Sequence, residues 1–483
     1  MRTAGSRSPY LRKKSIDKMI ADSKGGGDQE HLTRSMGVFE LMMFGVGATI
    51  GTGIFFVLSE TVPDAGPAVV ISFLFTGIVA GLTALCYAEV ASTIPVSGSA
   101  YSYAFATLGE LPAYLVGCCL ILEYGVAGAA TAVGWAEYFN SLLDDLFGFT
   151  LPHDLSAGVF ADDPGIINLP AVILVGMCCL LLVRGARESA RANAIMVLIK
   201  LAVLGMFIVI AIFGFNSDNL TPFNPDGISG IGSALPVIFF TYIGLDAVST
   251  AGEEVMDPGR TIPRAIIGAL LIVTTFYCVV ALTALGAQAA SEFNGQEAGL
   301  AAILQDVTGS KVPAIILSAG AVISIFSVTL VTIYGQTRIL FAMGRDGMLP
   351  PLFKKVSEET LTPVRNTYVT CTFIVVLAAT VPIDKLFDLV SIGTLTAFGI
   401  VSATVIILRR TRPDLERGFR VPFGPVIPLL SITACIYVLT TIKAVTWTYV
   451  IPWLLISLAF YFLYSHRNSA LRGHEWVDES SRE

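Results

Sequence analysis

The sequence predicts an all-α integral membrane protein that crosses the bilayer twelve times. Three observations carry that expectation. Of 483 residues, 54% are hydrophobic and 14% charged, with a mean hydropathy of +0.73, whereas a soluble domain carries about 25% charged residues. Predominantly apolar stretches recur from residue 37 to residue 464, many of them near the ~20 residues that a helix needs to cross a bilayer. The basic residues then sort by side. With both ends cytoplasmic, 26 of the 30 Lys and Arg fall in cytoplasmic segments and three (Lys311, Lys385, Lys443) in external loops. Such a split is a positive-inside signature, and an odd number of spans would scramble it.

Taken in order, residues 1–34 hold eight basic residues and lack the apolar core and cleavage site of a signal peptide. They are expected to form a disordered cytoplasmic tail. The spans are expected near 37–60, 66–93, 100–140, 168–183, 192–214, 229–255, 262–287, 312–343, 366–382, 386–408, 421–442 and 446–464. The first ten make a core over 35–410, the last two occupy 421–464, and 465–483 form a cytoplasmic C-terminal tail. The third and eighth are long enough to tilt or to carry turns outside the membrane. The fourth and ninth are short, and Pro422 and Gly424 blur the start of the eleventh. The longest external loop, from Leu142 to Asn168, carries Asp144, Asp145, Asp154, Asp162 and Asp163 and no Lys or Arg.

Several function classes are excluded by what the chain carries. Its eight cysteines all lie in apolar runs without CxxC spacing, and read as small buried side chains rather than disulfides or metal ligands. The four histidines, His31, His153, His466 and His474, sit in polar loops or flanks. No metal set and no nucleophile–base group lies at one depth, so no metal, cofactor, nucleic acid or enzymatic chemistry is expected.

The first span reads Gly45-Val46-Gly47-Ala48-Thr49-Ile50-Gly51-Thr52-Gly53-Ile54-Phe55-Phe56, four glycines within an apolar run. Glycine costs about 1 kcal/mol against alanine inside a helix. One reading is close helix packing through small residues, since Gly47 and Gly51 form GxxxG. The other is a deliberate break. The sixth span favours the break, because Phe239-Phe240-Thr241-Tyr242-Ile243-Gly244-Leu245-Asp246 is again interrupted by a glycine and polar groups. Breaks in the first and sixth of ten core helices are where a five-plus-five inverted repeat, over about 37–214 and 229–408, would place a binding site. A broken helix exposes N–H groups at the positive start of its second half, where a carboxylate can dock. Gly51, Thr52 and Gly53 would supply them. Carbonyls from Phe239 to Ile243 would accept from an ammonium. A carboxylate and an ammonium describe an α-amino acid, although another small zwitterion or a nucleobase fits the same pattern.

Buried charges form the second group. Lys200 stands about 12 Å into the fifth span at 1.5 Å per residue. A snorkelling lysine is the plain alternative, but at that depth a cavity or a partner is the usual neighbour, which makes Lys200 a candidate proton carrier. Glu123 lies midway along the third span and Asp246 at the sixth-span break, whereas Glu89 and Glu137 lie nearer span ends. A midplane carboxylate is costly unless paired or wetted.

With these residues in view, the chain resembles the amino acid, polyamine and organocation (APC) transporter superfamily, and within it the cationic amino acid transporter branch and its bacterial homologues. The resemblance runs from about Thr33 to Tyr464. It rests on Gly47–Phe55, Phe239–Ser249, Glu253–Ile266 and Gly335–Gly347. It implies a LeuT-like fold with helices 1 and 6 discontinuous, and proton-coupled uptake of amino acids across the cell membrane. The family's carboxylate site falls on Ile50, Gly51, Thr52 and Gly53, and its ammonium site on Phe239, Phe240 and Ile243. The family's span-five lysine, which takes the place of a sodium site in sodium-coupled relatives, falls on Lys200. Its pocket acid matches Glu123, and Asp246 is expected to steady the unwound sixth span. Animal members of the branch typically have fourteen spans, and this chain is read with twelve.

The function expected is secondary active transport of cationic or small neutral L-amino acids by proton symport with alternating access. Exchange of an amino acid for its amine or for another amino acid is the alternative. The partners expected are the amino acid, protons and the lipid bilayer, with a small membrane-protein partner left open. A receptor that binds without moving solute fits the paired breaks less well.

Overall fold

Glycines cap many of the helix boundaries in this chain, among them Gly51, Gly66, Gly98, Gly109, Gly148 and Gly185. In the computed structural model the structure describes residues 9–23, 34–161, 163–293, 299–381, 383–442 and 444–472. In chain order the helices are α1 (Ile16–Ser23), α2 (Val38–Thr49), α3 (Thr52–Ala65), α4 (Val69–Thr93), α5 (Ser99–Thr107), α6 (Glu110–Phe147), α7 (Leu169–Val183), α8 (Ala186–Phe213) and α9 (Gly227–Thr241). There follow α10 (Ala247–Thr250), α11 (Pro258–Ala287), α12 (Gly299–Thr308), α13 (Lys311–Arg345), α14 (Val364–Thr380), α15 (Ile383–Thr411), α16 (Val426–Thr441), α17 (Ala444–Phe460) and α18 (His466–Asn468). Among the described residues seven helices are long and apolar enough to cross a membrane, and five more are apolar but shorter. The protein is thus an all-α, multi-pass membrane protein.

Both interrupted spans are visible in the backbone. Helical geometry stops at Ile50 and Gly51 between α2 and α3, and again from Tyr242 to Asp246 between α9 and α10. Gly244 has φ +113°, which side chains rarely tolerate, and a Cβ there would stand 2.6 Å from the Ala48 carbonyl oxygen. The turn therefore needs glycine both for its backbone angle and for its approach to α2. The chain just before α2 and just beyond α10 is tied by a short parallel bridge between Met36 and Val255. Ser35 and Met36 N–H donate to the Glu254 carbonyl at 2.9 and 3.0 Å, and Met256 N–H donates back to Met36 at 2.9 Å.

Around this pair, α13 packs along α6 and α8, α15 along α6, and α11 against α4 and α2. Small residues of α6 also let α14 pack against it: a Cβ at Gly128 would meet Ile374 at 2.7 Å, and one at Gly125 would meet Phe373 at 2.5 Å.

Two expectations are corrected. The stretch 100–140 is two helices, because Gly109 (φ +108°) separates α5 from the 38-residue α6. The described part of the N-terminal tail, residues 9–23, is ordered: α1 buries Ile16 and Met19 to 5% and 2% exposure. The start of the C-terminal tail also docks, with Ser469 Oγ donating to the buried Glu110 carboxylate at 2.8 Å. All eight cysteines are free thiols.

Candidate functional site

The break between α2 and α3 creates two kinds of unpaired backbone group. The carbonyls from Gly47 to Ile50, at the end of α2, lack helical partners, as do the first four N–H groups of α3. Side chains from elsewhere supply the carbonyl end. Lys200, at 0% exposure on α8, donates from Nζ to the carbonyls of Gly47 at 3.1 Å and Ile50 at 2.5 Å. Ser324 Oγ on α13 donates to Ile50 at 3.1 Å. The Tyr277 hydroxyl on α11 lies 2.9 Å from the carbonyls of Thr49 and of Thr241. Its single proton is therefore shared between the two breaks. A cation at the negative end of α2 is also favoured by the helix dipole.

The N–H end is not closed in this way. No side chain caps the start of α3 at Gly51. Gly51 and Gly53 instead face a small, partly open cavity, also lined by Ala48, Thr49, Thr241, Ile243, Gly244 and Ala247 from the two breaks. Its remaining wall comes from α6 (Glu123, Tyr124, Ala127, Thr131), α13 (Val328, Thr332) and α15 (Val390).

Two buried carboxylates line that cavity. Glu123 receives the Thr394 hydroxyl on Oε1 at 2.5 Å, and Asp246 receives the Tyr124 hydroxyl on Oδ2 at 2.6 Å. Among the described residues, Glu123 Oε2 and Asp246 Oδ1 have no hydrogen-bond partner. Each acid therefore keeps one oxygen in reserve for a ligand, a proton or water. The Asp246 carbonyl accepts from Ser249 N–H at 2.8 Å and Ser249 Oγ at 2.7 Å, which fixes the start of α10.

Of the residues singled out in the sequence, Gly51, Gly53, Ile243, Glu123 and Asp246 meet at this cavity. Ile50 is fully buried and contributes its carbonyl to Lys200 and Ser324. Phe239 packs edge-on to Phe398 at 6.2 Å, and its carbonyl accepts from Tyr242 N–H at 3.0 Å. Lys200 sits behind the break and is absent from the cavity lining. The side chains of Thr52 and Phe240 lie outside the described residues. Tyr124, Tyr277, Ser324 and Thr394 were not singled out. Their hydroxyls lie on apolar helices, and only contacts with residues 36 to 274 positions away in sequence give them a role.

A layer of buried ion pairs closes one side of the breaks. Arg338 Nε of α13 meets Glu254 at 2.8 Å, and Arg345 of α13 meets Glu253 at 2.7 Å. Arg409 of α15 pairs with Glu89 of α4, which also receives Val421 N–H at 2.7 Å. Glu89 is thus held in a structural pair, whereas Glu137 lies exposed on α6.

Known proteins resemble this chain along nearly its whole length. The family model described as amino acid permease matches residues 36–463. The chain is 42% identical over 467 residues to the branched-chain amino acid permease BcaP of Bacillus subtilis, covering 96% of this chain and 99% of the relative. It is 40% identical over 466 residues to the methylthioribose transporter of the same organism, with the same coverage. Cationic amino acid transporter 1 of Arabidopsis thaliana is 32% identical over 437 residues, covering 88% of this chain and 72% of the relative. A permease of this kind is a transport protein, not an enzyme. The chain belongs to the amino acid permease family, on the cationic amino acid transporter branch of the APC superfamily and among its bacterial homologues.

Proposed function

We propose that the chain is a proton-coupled amino acid symporter of the cell membrane, with twelve spans, cytoplasmic termini and a LeuT-like five-plus-five core over residues 35–410. The observation that carries this reading is the convergence of two chain breaks on one cavity, one offering N–H groups and the other carbonyls. The substrate carboxylate docks at Ile50–Gly53, where the positive end of α3 faces the cavity. The ammonium docks at the carbonyl end of α9, at Phe239, Phe240 and Ile243. Glu123, with one oxygen unpaired, faces the substrate side chain and favours a cationic or hydrogen-bonding group.

Lys200 couples the proton to the break. As an ammonium it holds the carbonyl end of α2 by charge as well as by hydrogen bonds. As an amine it keeps two N–H donors and loses the charge, so α2 is released more readily from α8. The ion pairs Glu253–Arg345, Glu254–Arg338 and Glu89–Arg409 form the cytoplasmic barrier in this conformation. Alternating access then requires them to part.

Purified protein in vesicles, offered labelled leucine, alanine, arginine or lysine under imposed pH or sodium gradients, tests the reading. Accumulation is expected to follow the pH gradient. Accumulation that follows sodium alone overturns the proton assignment, and uptake that requires internal amino acid or amine identifies exchange instead. A second reading, transport of an uncharged thiosugar, is favoured by the methylthioribose transporter among the relatives and by the threonines lining the cavity. The same vesicles distinguish it, because methylthioribose would then accumulate and amino acids would not compete.

A further inference from the structure

The segment Tyr10–Met19 does not hang free beneath the protein. It crosses the ends of α5, α6, α13 and α15 and touches the C-terminal segment. Lys14 Nζ reaches Asp346 Oδ1 at 2.6 Å, with the two side chains only 14% and 7% exposed, and Lys14 N–H donates to the Phe105 carbonyl at 3.3 Å. The Tyr10 ring packs against Phe462 at 5.8 Å and His466 at 5.2 Å. The chain runs so close over Gly109 that a Cβ there would stand 2.8 Å from the Leu11 backbone. Ile16 and Met19 then enter the main apolar core.

What this segment grips gives it a role. Asp346 follows directly on Arg345, which pairs with Glu253, and Arg338 lies two turns earlier on α13. The other Asp346 oxygen accepts from the Tyr101 hydroxyl at 3.0 Å. Lys14 is thus attached to the end of the helix that carries two of the three barrier arginines. A helix end held from outside resists the displacement that would separate Arg338 and Arg345 from Glu254 and Glu253.

We propose that residues 10–19 are an autoinhibitory strap, which holds α13 in its barrier-closed position through Lys14 and must disengage for the cytoplasmic side to open. The effect on turnover rests on the transport reading, whereas the effect on barrier opening does not. Hydrogen exchange in the full-length protein reads the second directly. Lys14→Ala should speed exchange of amides 337–347 and 250–257 roughly twofold to fivefold, the population change that goes with losing one rim ion pair. Lys14→Arg should restore the native rate.

Turnover in vesicles should rise by a similar factor in Lys14→Ala. A strap locked by joining Lys14→Cys to Asp346→Cys through a short reducible methanethiosulfonate linker should stop transport, and reductant should return it. This locked form keeps the test open where Lys14→Ala unfolds. Native exchange rates in Lys14→Ala, or undiminished transport by the locked protein, overturn the strap. Faster exchange together with no transport by any form, wild type included, leaves the strap standing and overturns the symporter reading.

Discussion

Replacing Lys200 with methionine keeps much of the side-chain length and removes the charge. In the native site Lys200 Nζ donates to two carbonyls, at 3.1 and 2.5 Å. After the change Ile50 retains Ser324 as a donor, but Gly47 loses its donor. A buried orphan carbonyl costs about 1–3 kcal/mol, and losing a charge at a helix C-terminus costs up to about 2 kcal/mol more. Against this, placing a lysine in the membrane costs about 2.5–3.5 kcal/mol, which methionine avoids. The two sides nearly cancel, so the variant should fold with a stability within about 2 kcal/mol of the parent. Transport should separate them. Accumulation driven by a pH gradient should fall about tenfold or more, the loss that accompanies ~1.4 kcal/mol of coupling. Exchange of labelled for unlabelled substrate at equal pH should persist. Lys200→Met vesicles that accumulate substrate with the parent's pH dependence would refute the assignment of the coupling proton.

Other outcomes follow from the same geometry. Gly51→Ala places a Cβ 2.7 Å from Val328 Cγ2 and should destabilise by about 1–3 kcal/mol; thermal unfolding should show Val328→Ala recovering part of that loss. Glu254→Gln strands Arg338, which is 1% exposed, and should cost about 3–5 kcal/mol by thermal unfolding, with Arg338→Met in the same chain recovering most of it. Glu123→Gln should weaken binding of arginine and lysine relative to leucine by about tenfold, the equivalent of ~1.4 kcal/mol, read as ligand-induced thermal shifts. Tyr277→Phe removes the proton shared by Thr49 and Thr241 and should slow exchange transport while leaving accumulation responsive to the pH gradient.

The membrane character and both breaks were legible because they are written locally, in apolar length and in glycine beside polar groups. The glycines of the first span turn out to satisfy both readings offered for them. Gly45 lies against Val248, Gly47 against Asn193, Gly51 against Val328 and Gly53 against Thr241, each with room for a hydrogen and none for a methyl. Close packing and the break are one design. The place of Lys200 in the fold was legible only as an anomaly, since its partners are backbone carbonyls 150 and 153 residues away. No side-chain pattern announces a carbonyl. The same holds for Thr394 on Glu123, 271 residues apart. The ordered N-terminal helix was different: Ile16, Met19 and Ile20 stand at helical spacing, a signal that a basic, polar surrounding masked.

The bridge between Met36 and Val255 has a kinetic consequence. Because the chain just before α2 and just beyond α10 shares main-chain hydrogen bonds, neither broken helix can swing alone without tearing that seam. Glu253 and Glu254 leave their arginines in the same event, since they sit on the same side of the seam. Parting of these ion pairs is therefore expected as a single concerted step with one time constant, and a reporter on either half-helix should record the same rate.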